Sequence, residues 1–287
     1  MATFYTDPNG SDTTGDGSQA SPWFNIQYAV ANSGTADTII INDGTYLITF
    51  TSEIGVVTSF QNRTVRSSGG NPYNCILDFQ NVICQFDGTL NGSFRDITFK
   101  NGDGLLLNLN FEIVDNCIFD EMTGSQDISS SAIRRGVFVS CSTRFRSCIF
   151  NKPRMKNDGS VGSLFTTRTA ELTKTILDNC TIYIDNQYPA GFTEFDFLFQ
   201  TRSEGGVLQS IDVKNTIIVN DGRELVQGYY RKTGIGEVKT SYSYVYNCSY
   251  QGSEVGVSTD DPQLVDRVNG NYNLKGDSPC IGSGSLT

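Results

Sequence analysis

A six-residue phrase recurs through the middle and second half of the chain at nearly constant spacing. Each copy places a polar turn residue and then Cys or Thr between apolar residues, and the copies begin at Val114, Phe145, Leu177, Val213 and Val245. With the Cys (or Thr216) as marker, successive copies are separated by 31, 32, 36 and 32 residues. A short apolar segment repeated at such a period is typical of a solenoid, in which each coil buries its apolar side against its neighbours.

The residue types inside the repeat predict β-structure. Short runs rich in Val, Ile, Phe and Tyr are separated by Gly, Asn, Asp and Ser, and helical periodicity is nearly absent from residue 37 onward. Coils stacked in register lie about 4.8 Å apart, so equivalent side chains form ladders. The fold class predicted is therefore all-β, a single right-handed parallel β-helix. We expect an asparagine ladder in one turn and an internal ladder of small thiols, formed by Asn116, Asn179, Asn215 and Asn247 and by Cys117, Cys148, Cys180 and Cys248.

Both ends of the coil are expected to be covered, because an open solenoid end would pair with other chains. Ser21 as N-cap and Pro22 at the first helical position predict a capping helix. Its apolar face would carry Trp23, Ile26 and Val30. The predicted division of this one continuous domain is an N-terminal segment with the helix (1–36), the β-helix coils (37–260) and a C-terminal cap (261–287).

Both terminal segments resemble those of the pectate-lyase-like right-handed β-helix superfamily. The resemblance rests on residues 4–12, 21–23, 37–41 and 44–46 at the start, and on 261–262 and 278–282 at the end. It covers the whole chain and implies the fold. The superfamily includes polysaccharide lyases, glycoside hydrolases, adhesins, and phage tailspikes and fibres, so the resemblance leaves the activity open.

Charge and composition exclude several classes of partner. The formal net charge is −10 and the isoelectric point is near 4.5, which disfavours nucleic acid and anionic lipid surfaces. No run approaches the roughly 20 apolar residues of a membrane span. The start of the chain has neither a basic segment nor an apolar signal core. We therefore expect a protein made in a host cytoplasm and carried in a virion, or an extracellular enzyme whose signal has been removed.

Cysteine and histidine usage limits the possible chemistry. The chain has eight Cys, no CxxC spacing and no His. Buried free thiols are predicted rather than disulfides or zinc ligands, and a Ser–His–Asp mechanism is excluded. No cofactor or metal is expected except Ca²⁺, which the acidic loop 7–17 could bind; Asx and glycine turns explain that loop more simply.

One enzymatic alternative is a uronate polysaccharide lyase. This reaction needs a cation beside the substrate carboxylate and a base, which is usually Lys or Arg in the superfamily that the chain resembles. The candidate cation-binding patch comprises Asp96, Lys100, Asp103, Asp115, Asp120 and Glu121. The candidate bases are Arg134, Arg135, Lys152, Arg154 and Lys156. Solvated turn charges are the simpler interpretation.

A second enzymatic alternative is a glycoside hydrolase with two carboxylates. Glu194 and Asp196 alternate with aromatic residues in one predicted strand and therefore share a face. They are the candidate catalytic pair, although any outward strand face alternates in this way.

Tyrosines provide a candidate carbohydrate-binding surface. Tyr242, Tyr244 and Tyr246 would share one face of a strand in the last coils. An outward stripe could stack on sugar rings or join a subunit interface, whereas a stripe beneath a neighbouring loop would only pack.

The function predicted from the sequence is a phage virion surface protein, a β-helical spike, fibre or decoration. It would bind a host-surface glycan or serve assembly, as a homotrimer in contact with other virion proteins. The alternatives are the carbohydrate-active enzymes above and a non-catalytic glycan-binding module. The sequence leaves open whether the protein is an enzyme.

Overall fold

The computed structural model describes most of the chain. The described residues are 1–48, 56–57, 62–80, 83–88, 92–109, 113–127, 134–139, 142–156, 163–167, 173–185, 192–193, 197–202, 208–222, 228–233, 236–250 and 254–285.

Three sheets run along the molecule, and each coil contributes strands to them in turn. Sheet A contains Thr3–Thr6, Thr38–Ile41, Thr64–Ser67, Ser93–Arg95, Ile113–Asp115, Arg144–Arg146, Thr173–Asp178, Gln209–Lys214 and Glu237–Ser241. Sheet B contains Gly44–Leu47, Cys75–Asp78, Thr98–Lys100, Ile118–Asp120, Ile149–Asn151, Thr181–Ile184, Ile217–Asn220 and Tyr244–Tyr246. Sheet C contains Val56–Val57, Ile83–Gly88, Asp103–Leu109, Thr123–Asp127, Arg134–Val139, Arg154–Lys156, Ser163–Thr167, Phe192–Thr193, Phe197–Arg202 and Gly228–Thr233.

Strand pairing within these sheets is parallel and joins each coil to the next. In sheet B, for example, Phe119 pairs with Phe99 on one side and with Phe150 on the other. Two pairs in sheet C are antiparallel, Thr123–Asp127 with Arg134–Val139 and Arg154–Lys156 with Phe192–Thr193. The predicted parallel β-helix is confirmed by this topology.

The core lies inside the coil and is built from ladders of identical or similar side chains. Alternation along each strand points every second residue inward, and Phe99, Phe119 and Phe150 are each at most 3% exposed. Their rings stack at centroid distances of 5.2 and 5.1 Å. Phe165 and Phe199 form a similar stack from sheet C, 5.7 Å apart.

The turn between sheets A and B is two residues long in successive coils and contains both predicted ladders. Its first residue has a left-handed backbone, with φ of 50° at Asn116, 56° at Asn179 and 47° at Asn215, a conformation that Asn tolerates better than most residues. The side-chain amides bond to the preceding coil: Asn116 Nδ2 donates to Asp96 Oδ1 at 2.7 Å, and Asn179 Nδ2 donates to Ser147 Oγ at 3.2 Å.

The second turn residue forms the internal ladder. The amide of Ile149 donates to the carbonyl of Cys117, and that of Thr181 donates to the carbonyl of Cys148, both at 2.9 Å. Cys117, Cys148 and Cys180 are buried free thiols, as predicted. Burial raises the pKa of the Cys148 thiol well above its ordinary value.

The predicted place of Asn247 and Cys248 in these ladders is wrong. They follow the sheet B strand Tyr244–Tyr246 and belong to the turn towards sheet C, where Asn247 Nδ2 donates to the carbonyl of Asn220. The true successors are Tyr242, with φ 48°, and Ser243, whose Oγ accepts from the Thr216 amide at 3.1 Å, 27 residues away. Both turns of a coil use a left-handed residue before a buried one, so the sequence phrase alone does not distinguish them.

The N-terminal helix exists but begins later than predicted. It spans Ile26–Asn32, and its N-cap is Asn25, whose side chain accepts from the Gln27 amide. Pro22 and Ser21 stay outside because Trp23 is bound to the first strand: its amide donates to the Tyr5 carbonyl at 3.0 Å. Ile26 and Val30 are buried in the core cluster from this helix, as predicted, whereas Trp23 joins the cluster from the segment before the helix and is not part of its apolar face.

The C-terminal segment first extends the coil and then folds back along its flank. Ser258 bridges Tyr244 in parallel beyond the last coil. Leu264–Asp266 and Asn271–Leu274 then form an antiparallel hairpin, which packs on the outer face of sheet B. No helix among the described residues has both the length and the hydrophobicity that a membrane crossing needs.

Candidate functional site

A shallow groove lies on the outer face of sheet B, between the middle coils and the C-terminal hairpin. Its floor is apolar, because Ile118 and Ile149 occupy successive outward positions of neighbouring strands. The cavity measures about 150 Å³. Small-molecule pockets are typically about 300–1,000 Å³, so this groove can hold one small ring and leaves the rest of a larger ligand in solvent.

Tyrosines from two distant parts of the chain line the groove. Tyr73 belongs to the short 3₁₀ turn Pro72–Asn74, which is fixed by Asn71: its Oδ1 accepts from the Tyr73 amide at 3.1 Å. The Tyr73 side chain is 60% exposed. Tyr272 lines the groove from the hairpin, next to Gly270, which has a left-handed φ of 82°.

A chain of polar contacts crosses the groove. Lys100 Nζ lies 3.4 Å from Asp120 Oδ2, and Asn151 Nδ2 donates to Asp120 Oδ1 at 2.6 Å. The Tyr272 hydroxyl donates to Asn151 Oδ1. Burial raises the pKa of Tyr272, so its hydroxyl stays a neutral donor at any physiological pH. One cation and one carboxylate offset each other, and the groove therefore selects on shape and hydrogen bonding more than on net charge.

The hairpin that supplies Tyr272 is held firmly on sheet B. Arg267 donates to both oxygens of Asp221, at 2.6 and 2.8 Å, and to Asp261 at 3.0 Å. Leu264 packs with Tyr183 and Val219 in a second buried cluster. Burial raises the pKa of Tyr183 to about 12. The hairpin is therefore a built part of the fold, and the groove has a fixed wall.

The members of the predicted lyase patch that the structure describes are divided between four places, one of which is Glu121 in the turn between sheets B and C. Lys100 and Asp120 meet in the groove, whereas Asp115 faces outward from sheet A, where Arg146 binds it at 2.5 and 2.9 Å. Asp96 accepts from Asn116 in the turn. The described residues contain no group of three or more His, Cys, Asp or Glu side chains suited to a metal ion.

The structure describes the side chains of only some of the candidate bases. Arg154 lies at the turn between sheets B and C, 3.5 Å from Glu121 and 3.6 Å from Asp185. Lys152 is a left-handed turn residue with φ 48°. The side chains of Asp103, Arg134, Arg135 and Lys156 lie outside the described residues. Arg154 is therefore engaged in ion pairs with two carboxylates.

The candidate catalytic pair, Glu194 and Asp196, also lies outside the described residues. A two-carboxylate mechanism at that position stays a prediction.

The three candidate sugar-binding tyrosines do not form one stripe. Tyr242 is a turn residue, 36% exposed, whereas Tyr244 is buried and its hydroxyl donates to the Pro279 carbonyl. Tyr246 lies beneath Arg267, whose guanidinium carbon is 5.5 Å from the ring centroid. The packing interpretation therefore describes Tyr244 and Tyr246. Sequence reasoning missed Tyr73 and Tyr272 as candidates, because neither follows the repeat.

Comparison with known proteins supports the fold. No protein-family model and no curated protein sequence matches the chain. Among solved structures, it is similar to the pectate lyase Pel9A, with 12% identity and a TM-score of 0.57 over 100% of this chain and 92% of that one. It is also similar to a mannuronic acid-specific polysaccharide family 6 lyase from human gut microbiota, with 12% identity and a TM-score of 0.50 over 90% of this chain and 55% of that one. Together with the sheet topology, these matches show that the chain has the right-handed parallel β-helix fold.

Proposed function

We propose that this protein binds a polysaccharide and that the sheet B groove holds one of its sugar residues. The observation that carries the proposal is the combination of Tyr73 and Tyr272 with the hydrogen-bonded series Lys100, Asp120 and Asn151 in one groove. Aromatic faces pack against the apolar side of a sugar ring, while amide, ammonium and carboxylate groups bond to its hydroxyls. The polysaccharide-lyase fold of the similar structures supports a carbohydrate ligand.

Binding without cleavage is the activity that the groove geometry favours. Lys100 is ion-paired with Asp120, and the ammonium group of such a pair has hydrogen-bond donors but no acceptor. Hydrolysis by two carboxylates requires a second acidic group about 5–9.5 Å from the first, and among the described residues that line the groove Asp120 is the only acidic one. Elimination and hydrolysis are the two alternatives to binding alone, and activity assays distinguish them.

The biological setting that we propose is attachment to a host-surface glycan by a viral particle, with three copies of the chain in one spike. The acidic, histidine-free composition supports this setting. Light scattering on the purified protein measures the copy number directly: a trimer supports the spike, and a monomer removes it.

The proposal is tested by calorimetric titration with a panel of neutral and acidic oligosaccharides. Tyr73→Ala should weaken binding roughly 2- to 12-fold, because an aromatic contact contributes about 0.5–1.5 kcal/mol. Tyr230→Ala is the matched control, since Tyr230 is 47% exposed and lies outside the groove. Equal effects of both variants, or no binding to any oligosaccharide, would overturn the assignment.

Activity is measured in parallel with the same oligosaccharides. We expect neither unsaturated uronates, followed by ultraviolet absorbance, nor new reducing ends, with or without Ca²⁺. Unsaturated products would identify a lyase, and reducing ends alone would direct attention to Glu194 and Asp196.

A further inference from the structure

Four asparagines of the chain are each followed by glycine, namely Asn9, Asn91, Asn101 and Asn269. Such a step is chemically labile, because the glycine nitrogen can attack the asparagine side-chain carbonyl within the same chain and glycine has no Cβ to hinder the approach. In a folded protein the rate depends on how firmly the side chain and the following amide are held. Asn91 lies outside the described residues, so the structure compares the other three.

The Asn9–Gly10 step is held by its surroundings. The Gly10 amide donates to the Asp7 carbonyl at 2.8 Å. The backbone is also closely packed, since a Cβ added to Gly10 would collide with the Trp23 carbonyl oxygen. An amide nitrogen held in this way cannot turn towards the Asn9 side chain unless the segment first opens.

The Asn101–Gly102 step is held within the coil. Asn101 Nδ2 donates to Asp78 Oδ1 at 3.0 Å, and the Asn101 amide donates to the Asp120 carbonyl at 3.1 Å. Gly102 is buried, and a Cβ added to it would collide with Met122 Cε. Ring closure here therefore requires neighbouring coils to separate.

The Asn269–Gly270 step is open by comparison. Asn269 is exposed and ends the 3₁₀ turn Arg267–Asn269, which connects the two strands of the C-terminal hairpin. The Gly270 amide donates to the Arg267 carbonyl at 3.3 Å, longer than the usual range of about 2.7–3.2 Å. A Cβ added to Gly270 would meet no atom of the described residues within 4 Å. Little therefore opposes a rotation that brings the Gly270 nitrogen to the Asn269 side chain.

We propose that Asn269 converts spontaneously to aspartate and isoaspartate in the folded protein. The Gly270 nitrogen attacks Asn269 Cγ, so that an N–Cγ bond forms and the Cγ–Nδ2 bond breaks. The Gly270 amide proton leaves with the side-chain NH₂ group as ammonia. Water then opens the resulting cyclic imide at either carbonyl and gives the two products. The reaction needs only water, and it does not depend on the function proposed for the sheet B groove.

The modification destroys a contact of the turn. Asn269 Nδ2 donates to Asp266 Oδ2 at 2.9 Å. Either product replaces this donor with a carboxylate, so two negative charges then repel each other across the turn. Isoaspartate also lengthens the main chain by one methylene group. Because Gly270 and Tyr272 line the groove beside this turn, ageing of the protein should loosen that wall.

The experiment is incubation of the full chain at mildly alkaline pH, followed by complete trypsin digestion and mass spectrometry. Trypsin separates the three described steps into the fragments 268–275 for Asn269, 1–63 for Asn9 and 101–134 for Asn101. Fragment 268–275 should exchange an amino group for a hydroxyl at least about tenfold faster than the other two, because those must first open locally. Its aspartate and isoaspartate forms separate by chromatography.

Two controls isolate the effect of the fold. In denaturing urea all Asn–Gly steps are exposed alike, so the three fragments should react at similar rates. Asn269→Gln keeps a side-chain amide but must close a larger ring, so its fragment 268–275 should stay unmodified. Brief trypsin treatment of the native protein should cut after Arg267 faster once the protein has aged, whereas the Asn269→Gln variant aged in the same way should show no change.

Equal rates for the three fragments of the folded protein would overturn the proposal, as would a faster reaction at Asn9 or Asn101. Equal modification of fragment 268–275 in Asn269→Gln would also overturn it, because the reacting residue would then be Asn271 or Asn273. If the modified protein is cut after Arg267 no faster than the fresh protein, the turn does not loosen, and that part of the proposal is wrong. An unchanged melting temperature shows that Asn269→Gln, at an exposed site, remains folded.

Discussion

Phe119 lies directly over Phe150, with ring centroids 5.1 Å apart and ring planes 6° apart. Both rings are at most 3% exposed. The parallel register aligns the two positions in neighbouring coils, so the stack follows directly from the repeat. The same stack continues to Phe99 at 5.2 Å, which makes Phe119 the middle ring of three.

Removing the middle ring should therefore be costly. Phe119→Ala is expected to lower the free energy of unfolding by about 3–5 kcal/mol, because it deletes buried surface and leaves a cavity between two rings. Denaturant unfolding followed by circular dichroism measures the change. Tyr73→Ala, at an exposed aromatic residue, should change stability by less than about 0.5 kcal/mol. A loss below about 1 kcal/mol for Phe119→Ala would mean that this ring does not occupy the core.

The repeat predicted the architecture because burial imposes the same residue type on every coil. Phe119 and Phe150, or Cys117 and Cys148, meet the same surroundings in successive coils, so the period is visible in the sequence. The register failed at Cys248, because the turn towards sheet C also places a left-handed residue before a buried one, as at Glu121 and Met122. The six-residue phrase is compatible with either turn of a coil, so the sequence alone cannot show which of the two turns it forms.

The groove could not be predicted in this way. Tyr73 and Tyr272 come from opposite ends of the chain and belong to no repeat. They meet because the C-terminal hairpin folds back over sheet B, which is a tertiary contact between apolar surfaces. Lys100 and Asp120 both belong to the candidate cation-binding patch of the sequence analysis, and the structure pairs them. These two residues line a groove only because the C-terminal hairpin packs beside them. From the sequence, that segment is predicted only as a cap for the end of the coil.

The left-handed turn gives a second stability prediction. Asn116 has φ 50° and its side chain donates to Asp96. Asn116→Val should lower the free energy of unfolding by roughly 2–3 kcal/mol, since a β-branched residue is strained there and the hydrogen bond is lost. Asn116→Gly keeps the backbone conformation and should cost only about 1 kcal/mol for the lost bond. Equal losses for the two variants would show that backbone conformation does not matter at this turn.

A buried arginine ties the capping helix to the coil. Arg63 is 9% exposed and donates to the Ser33 carbonyl at 2.7 Å, to Ser33 Oγ at 2.9 Å and to the Val30 carbonyl at 3.2 Å. These carbonyls lie at the helix C-terminus, where a cation is favourable. Burial lowers the pKa of Arg63, but a guanidinium stays charged.

Loss of this side chain should loosen the cap before the rest of the coil. Arg63→Ala should destabilise the protein by about 3 kcal/mol, because it leaves buried acceptors without donors. The fluorescence of Trp23, the single tryptophan, reports unfolding of the cap directly. Arg66→Ala changes an outward residue of the strand Thr64–Ser67, which Arg63 directly precedes, and should cost less than about 0.5 kcal/mol. A single transition with an unchanged midpoint for Arg63→Ala would contradict this role.

The buried thiols should make the fold sensitive to alkali. Burial raises the pKa of Cys75 and of Cys248 from 9.0 to about 12, and it raises that of Cys117 further. Because the folded pKa lies above the unfolded one, the neutral thiol is favoured in the folded state. Its stabilising contribution is complete below pH 9 and is lost as the pH rises towards the folded pKa. Each such thiol should cost up to about 1.4 kcal/mol of stability per pH unit above 9.

Urea unfolding at pH 8, 9 and 10 measures this slope; tyrosines of the unfolded chain also begin to ionise near pH 10, but they are the same in every variant and cancel in the comparison. The double variant Cys75→Ala with Cys248→Ala should be less stable at pH 8 but should lose less stability between pH 9 and 10, because two ionisable groups have been removed. Thr216→Ala, at a ladder position without a titratable group, should lower stability equally at each pH. A slope identical in all three proteins would mean that the thiols ionise in the folded state as readily as in the unfolded one, and that burial does not control them.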